Sequence, residues 1–269
     1  MTEISRRRVL RAMGSGMLAG AASPLVAQYC AYQLKVERSQ LKLHRWDAKG
    51  LKLGFISDFH LNGASQTDRA IESARILMAE KPDLIALGGD YLEHSHAPLM
   101  ENLKRFLSTF QDSTVPVIAI MGNHDYWSRG AAEIFSAFKA SSVRMLRNEV
   151  FDFQGVSVAG VDDHIDRKSD FKFFPVGSVS KSLVALMHEP DVVRFQPVHV
   201  SLQVSGHSHG GQVCFPFGKQ IHTPGWAKAF IRGYYPKAKV PLYVSRGVGT
   251  TGVDYRLFCA PEVTLLELI

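Results

Sequence analysis

A chain of 269 residues, 46% hydrophobic and 21% charged, has an ordinary globular composition and ample length to bury a core. Its formal net charge of +6 raises the question of a polyanionic partner, but Arg6, Arg7, Arg8 and Arg11 against Glu3 supply half of that excess within the first 27 residues. The rest is spread thinly, and no nucleic-acid partner is specifically indicated. Three cysteines, Cys30, Cys214 and Cys259, exclude a disulfide framework. Cys214 and Cys259 read as two small buried residues, with a single bridge as the alternative in an exported protein.

The chain opens with a basic segment, Ser5-Arg6-Arg7-Arg8-Val9-Leu10-Arg11, followed by a Gly/Ala/Leu/Met stretch to Ala27. That order is the pattern of a bacterial export signal. The arginine pair before two apolar residues resembles a twin-arginine signal, with Val9 where Phe is more usual. It implies the twin-arginine export machinery as a partner, and a location in the periplasm or on the outer face of the cytoplasmic membrane. A short basic helix on a cytoplasmic protein is the alternative. Leu25-Val26-Ala27 is a poor cleavage site, so residues 1–30 serve either as a removed leader or as an anchor giving membrane association. At about 16 apolar residues the stretch is shorter than a typical span.

The catalytic domain is expected over residues 50–269. Leu51 to Ile56 predicts a strand ending in Ser57-Asp58, and the apolar spacing of residues 67–80 predicts a helix stopped near Pro82. Residues 84–87 form a second buried strand ending in Gly88-Gly89-Asp90. A helix over 99–110 leads to a strand over 117–120, which ends in Gly122-Asn123-His124-Asp125, and a helix over 131–140 follows. The second half is richer in strands, expected over 143–146, 150–153, 156–161, 183–187, 199–204, 242–245 and 263–268. Strand–loop–helix units followed by a strand-rich half predict an α/β fold of stacked β-sheets flanked by helices.

The residues able to bind metal fall at the ends of these strands. Asp58 and His60, Asp90, Asn123 and His124, His188, and His207 and His209 lie on five separate loops. Open α/β sheets gather ligands at the carboxyl ends of their strands. Each pair alone is a weak signal, but five loops delivering Asp, Asn or His at corresponding positions is a strong one.

Asp58-Phe59-His60, Gly89-Asp90, Gly122-Asn123-His124-Asp125, His188 and Gly206-His207-Ser208-His209 together resemble the calcineurin-like metallophosphoesterases, in that family's order. Ser208 stands where Thr is frequent. The longer strings Gly160 to Asp163, His188 to Asp191, Gly206 to Gln212 and Val244 to Gly249 are similar to the bacterial YaeI/YkuE phosphodiesterase group. The resemblance implies two stacked mixed β-sheets in a four-layer α-β-β-α sandwich, and two divalent metal ions per chain. Asp58, His60, Asp90 and His209 would hold the first ion; Asp90, Asn123, His188 and His207 would hold the second. Mixed imidazole and carboxylate donors suit Mn, Fe or Zn rather than Ca. The implied activity is phosphodiester hydrolysis, with a metal-activated hydroxide attacking phosphorus in line. His124, without a metal of its own, would face the leaving-group oxygen, and Asp125 would orient the His124 ring, a turn cap being the other reading of Asp125.

The substrate implied is a phosphodiester-containing small molecule or lipid. A pyrophosphate hydrolase of the UDP-diacylglucosamine type and a non-catalytic metal-binding scaffold are the alternatives. His94 and His96 read as a solvated loop, with rim contact with substrate as the alternative. Asp162, Asp163 and His164 read as a turn with side-chain capping, with support of the ligands or a substrate role as the alternative. His44, His199 and His222 have no partner at ligand spacing. Residues 215–239 interleave cations with aromatics, which suits either a substrate-contacting loop or a solvated one. Arg246 with Gly247 to Gly252 is either a phosphate cradle or a tight turn.

Overall fold

A computed structural model describes residues 33–94, 97–174 and 182–269; the expected leader lies outside the described residues. Twelve strands among them form two sheets: β1 (Lys35–Leu41), β2 (Leu51–Ile56), β3 (Leu84–Leu87), β4 (Val117–Ala119), β5 (Arg144–Met145), β6 (Glu149–Phe153), β7 (Val156–Gly160), β8 (Leu183–Leu186), β9 (Leu202–Ser205), β10 (Gly233–Tyr235), β11 (Leu242–Val244) and β12 (Glu262–Leu268). The first sheet runs β1-β12-β2-β3-β4-β5 and the second β10-β11-β9-β8-β7-β6. Both are mixed: β2 to β5 are parallel with β12 antiparallel to β2, while β7, β8, β9 and β11 are parallel with antiparallel edges.

Alternation along β2 shows why the sheets stack. Leu51, Leu53 and Phe55 point into the core between the sheets, where Val158, Val184, Leu202 and Val204 of the second sheet meet them. Fully burying one such side chain contributes about 1.5–3 kcal/mol. On the other face, Gly54 leaves room for Leu77 of α1 (Ala64–Ala79), whose Cδ1 would lie 2.8 Å from an added Cβ. Helices α2 (Ala97–Ser108) and α4 (Ala131–Lys139) complete the layer over the first sheet. A 3-10 helix, Pro190–Phe195, and apolar loop residues such as Trp226 and Phe230 lie on the outer face of the second. No helix among the described residues is long and apolar enough to cross a membrane.

The domain starts earlier than residue 50. Strand β1, at the sheet edge, pairs in parallel with β12 from Lys35↔Glu262 to Leu41↔Leu268. Its sequence, Lys-Val-Glu-Arg-Ser-Gln-Leu, is too polar to mark a buried strand, because an edge strand is only half covered. The strand expected over 199–204 is shifted to Leu202–Ser205, since residues 197–200 close a turn through the bond from the Val200 amide to the Pro197 carbonyl. Residues Asn123–Trp127, expected only as the end of a loop, form a short helix, α3.

Candidate metal centre

The loops after β2, β3, β4, β8 and β9 converge at one end of the two sheets. The first two are joined by backbone bonds: the Asp58 amide donates to Gly89 O (3.0 Å), and those of Phe59 and His60 donate to Asp90 O (2.8 and 3.0 Å). Phe59 stacks on Tyr91 at 5.3 Å, anchoring this pair of loops in the core. A Cβ on Gly122 would stand 2.3 Å from Asp90 Oδ1 and 2.9 Å from His188 Cε1, so only glycine lets the β4 loop approach so closely.

The backbone here is strained. Asp58, His60, Asp90, His207 and His209 have φ of 57°, 44°, 56°, 66° and 50°, a region L-residues rarely occupy. Such outliers persist where the surroundings over-determine them, and they cluster at functional sites.

All seven expected ligands are buried and brought together. Asp58, His60 and His209 place donor atoms within 4.8 Å of one another, and so do Asp90, His188 and His207. Asp90 Oδ2 lies 3.4 Å from His60 Nε2 and 3.1 Å from His188 Nε2, and so touches both groups. His60 Nε2 and His209 Nε2 face each other at 3.0 Å. Three imidazoles have one nitrogen committed to an acceptor: His60 Nδ1 donates to Glu93 Oε2 (2.6 Å), His188 Nδ1 to Gly88 O and His207 Nε2 to Gly225 O (both 2.7 Å). The opposite nitrogen of each keeps its lone pair for a metal.

Two atoms test the fit of a cation. Asn123 Oδ1 is buried with no hydrogen-bond partner among the described residues, which costs about 1–3 kcal/mol unless something else binds it. His188 Nε2 is buried facing the Asp90 carboxylate at 3.1 Å. Both are metal-donor types, and both belong to the second expected set. Burial pushes Asp90 up, yet the charges of His188, His60 and His124 hold its carboxyl well below the usual carboxylate range. A carboxylate kept ionised by cationic neighbours fits a divalent cation, which would take the place of the ring protons.

The sequence profile of the family "Calcineurin-like phosphoesterase" matches residues 51–211, more than half of the chain. The chain belongs to the calcineurin-like phosphoesterases. It is 28% identical to YkuE of Bacillus subtilis, an uncharacterized metallophosphoesterase, over 100% of this chain and 99% of that one. It is 27% identical to the phosphodiesterase YaeI of Escherichia coli, over 99% and 100% of the two chains. A further relative, the uncharacterized protein YpbG of Bacillus subtilis, is 30% identical over 94% of this chain and 96% of its own. As a member of the family, the protein is a metal-dependent phosphoester hydrolase.

The phosphoesterase's His124 sits beside the ligands, partly exposed, its ring 4.7 Å from that of His60. Asp125 does not orient it. The Asp125 carboxylate instead accepts the backbone N–H groups of Asp90 (3.0 Å), Tyr91 (2.8 Å) and Gly122 (2.9 Å), capping α3 and pinning the β3 loop. Burial and the neighbouring Asp90 charge push its pKa up to about 7 despite those bonds. The carboxylate facing His124 is Glu93, which the sequence reading missed: its Oε2 lies 3.7 Å from His124 Nδ1 as well as 2.6 Å from His60 Nδ1. Burial raises Glu93, but the His60 bond and the two imidazole charges outweigh it and bring the pKa down to about 2. Its position three residues past Asp90, on the same loop, was the available signal.

Arg256, also missed, is fully buried and donates to the carbonyls of Gly249 (2.7 Å), Arg246 (2.7 Å) and His209 (3.1 Å), tying the His209 loop to the glycine-rich stretch. That stretch is a buttress and not a phosphate cradle: the Gly249 amide donates to Asp58 O at 2.7 Å, and Arg246 turns away to Glu37 and Glu262. Asp162 accepts from Tyr126 Oη (2.6 Å) and Arg147 Nε (2.9 Å), and Asp163 caps the turn through the Asp166 amide. His94 is exposed, and His96 lies outside the described residues. Cys214 and Cys259 are free buried thiols.

Beside the ligands opens a cleft of about 650 Å³, with Asp90, Asn123, His124, His207 and His209 in its floor. Residues 221–226 form part of its wall, but the cations of the 215–239 segment do not: Lys228, Arg232 and Lys239 donate to the carbonyls of Thr223, Gly218 and Arg194.

Proposed function

We propose that this phosphoesterase is a binuclear-metal phosphodiesterase holding two divalent ions, of Mn, Fe or Zn. The observation that carries the reading is the position of Asp90 Oδ2, within 3.4 Å of a ligand nitrogen in each of the two donor groups. Asp58, His60, Asp90 and His209 would hold one ion, and Asp90, Asn123, His188 and His207 the other. When bound, such a pair neutralises charge on the phosphate oxygens and lowers the pKa of a water to near neutrality.

The chain's own residues do the rest. Asn123 contributes an oxygen without adding negative charge beside the substrate phosphate. His124, on the cleft floor, donates a hydrogen bond or proton to the departing alkoxide. Glu93 keeps the rings of His60 and His124 in register, and Asp125 fixes the loop from which Asp90 projects. The name of the relative YaeI agrees with a diester substrate. The arginine-rich leader further supports action on the outer side of the cytoplasmic membrane, reached by twin-arginine export. Fusing residues 1–30 to a reporter checks this: Arg6→Lys with Arg7→Lys should abolish export, and unchanged export would refute it.

Hydrolysis of bis-p-nitrophenyl phosphate tests the main reading. The metal-free protein should be inactive, and Mn²⁺ should restore turnover. An absence of metal-stimulated hydrolysis in protein shown to carry two ions would sink the proposal.

A further inference from the structure

The cleft floor is polar but its walls are not. Trp127, Ile165, Ile221, Trp226, Val253 and Tyr255 line it, and among the described residues no Lys or Arg does. A substrate with several phosphates would call for cations there, since charge-assisted clamps are the usual means of holding them. Three of the polar side chains in the wall are already committed. Gln212 donates to the carbonyls of Thr251 and Val253 and accepts from the Thr251 amide; Ser208 Oγ donates to Ile231 O; and Thr251 Oγ1 donates to Glu93. An alkyl chain needs no polar partner on such a wall.

The apolar surface continues outward. Val213 and Ile221 close a hairpin, with Ile221 N donating to Val213 O and Phe215 N to Lys219 O. Phe217, at its tip, is fully exposed with φ of 76°, and Phe215 beside it is also exposed. Bulky rings held out in water next to Lys219, on the hairpin that walls the cleft, fit the anionic, apolar surface of a bilayer.

We propose that the cleft takes the hydrocarbon chain of a membrane phosphodiester lipid, whose phosphate then lies over the metal ligands while the Phe215–Phe217 tip rests in the bilayer surface. The inference rests on the phosphodiesterase reading of the same site. Hydrolysis adds one water across a P–O ester bond, leaving a phosphomonoester and an alcohol, and the alkoxide takes its proton from His124 or from solvent.

The test uses the Mn²⁺-loaded full chain and a series of alkyl p-nitrophenyl phosphates, from methyl to octyl, below their micelle-forming concentrations. Burial of the chain raises kcat/KM by up to about fourfold per methylene, and a gain of about tenfold or more from methyl to octyl is expected. Ile221→Asp should flatten that slope. A flat slope in the wild type, with every ester hydrolysed, overturns the inference and leaves the phosphodiesterase reading standing. So does a preference for thymidine p-nitrophenyl phosphate over the octyl ester. Failure to hydrolyse any of the esters, or bis-p-nitrophenyl phosphate, brings down both.

Vesicles of phosphatidylglycerol and phosphatidylethanolamine give the second arm. They should be hydrolysed, and Phe217→Asp, at a side chain that packs on nothing, should lower the ratio of vesicle to octyl-ester turnover. Octyl-ester hydrolysis without vesicle turnover overturns the bilayer as the source of the chain.

Discussion

The two halves of the molecule contribute unlike things to one site. Loops of the first sheet bring Asp58, Asp90 and Asn123, the oxygen donors, together with His60; loops of the second bring only imidazoles, His188, His207 and His209. Each half is also held by the other's main chain. The His207 amide donates to Asp58 Oδ1 at 2.8 Å, and His188 Nδ1 donates to Gly88 O at 2.7 Å. Neither donor set is therefore oriented until the sheets dock, and the apolar core between them is a precondition of metal binding. The halves differ in a second respect: His124, Glu93 and Asp125 all belong to the first, while most of the cleft wall comes from the second. Under the proposed function, reactivity and selectivity would divide along the same line.

That division can be broken by substitution. His124→Ala should lower kcat by about 10²–10⁴-fold on lipid diesters, whose leaving group is an alkoxide, with metal content retained. On the p-nitrophenyl esters, whose leaving group needs little protonation, the factor should be smaller but uniform. Loss of metal in this variant would show that His124 is a ligand. Glu93→Gln should lower turnover by about 10–100-fold, because two rings lose their orienting charge while every ligand stays; unchanged kcat would remove Glu93 from the account. Trp226→Ala, on the opposite wall, should act mainly on KM, within about tenfold, and unequally between short and long esters. An equal loss on all esters would erase the distinction between the halves. Asp125→Ala should act on folding, lowering stability by about 2–4 kcal/mol in urea melts because buried N–H groups lose their acceptor. A fully stable but inactive variant would restore Asp125 to the chemistry.

Much of this was legible in the sequence, and the exceptions have physical reasons. Ligands such as Asp58 and His209 stand just beyond short apolar runs, where the period of the strands announces both the sheet and the loop. Of the two readings of Asp125, the cap holds: consecutive residues of a helix such as α3 point in different directions and do not face each other. The partners of Glu93 and Arg256 come from other loops, His60 and His124 in one case and His209 in the other, so residue spacing alone does not pair them. The left-handed φ of five of the seven ligands leaves no mark in residue type either, since Asp and His are common in unstrained loops. Strand β1 was hidden by its polarity, and residues 215–239 stayed open between a substrate-contacting and a solvated loop because residue type does not say which part of a loop faces the cleft.

Asp90 is the point where the two donor groups meet. Metal analysis of the purified wild type and of Asp90→Ala, by inductively coupled plasma mass spectrometry on folded protein, tests it directly. Two ions per chain are expected in the wild type and near-complete loss of both in the variant. One ion kept at full occupancy in Asp90→Ala would contradict the shared site.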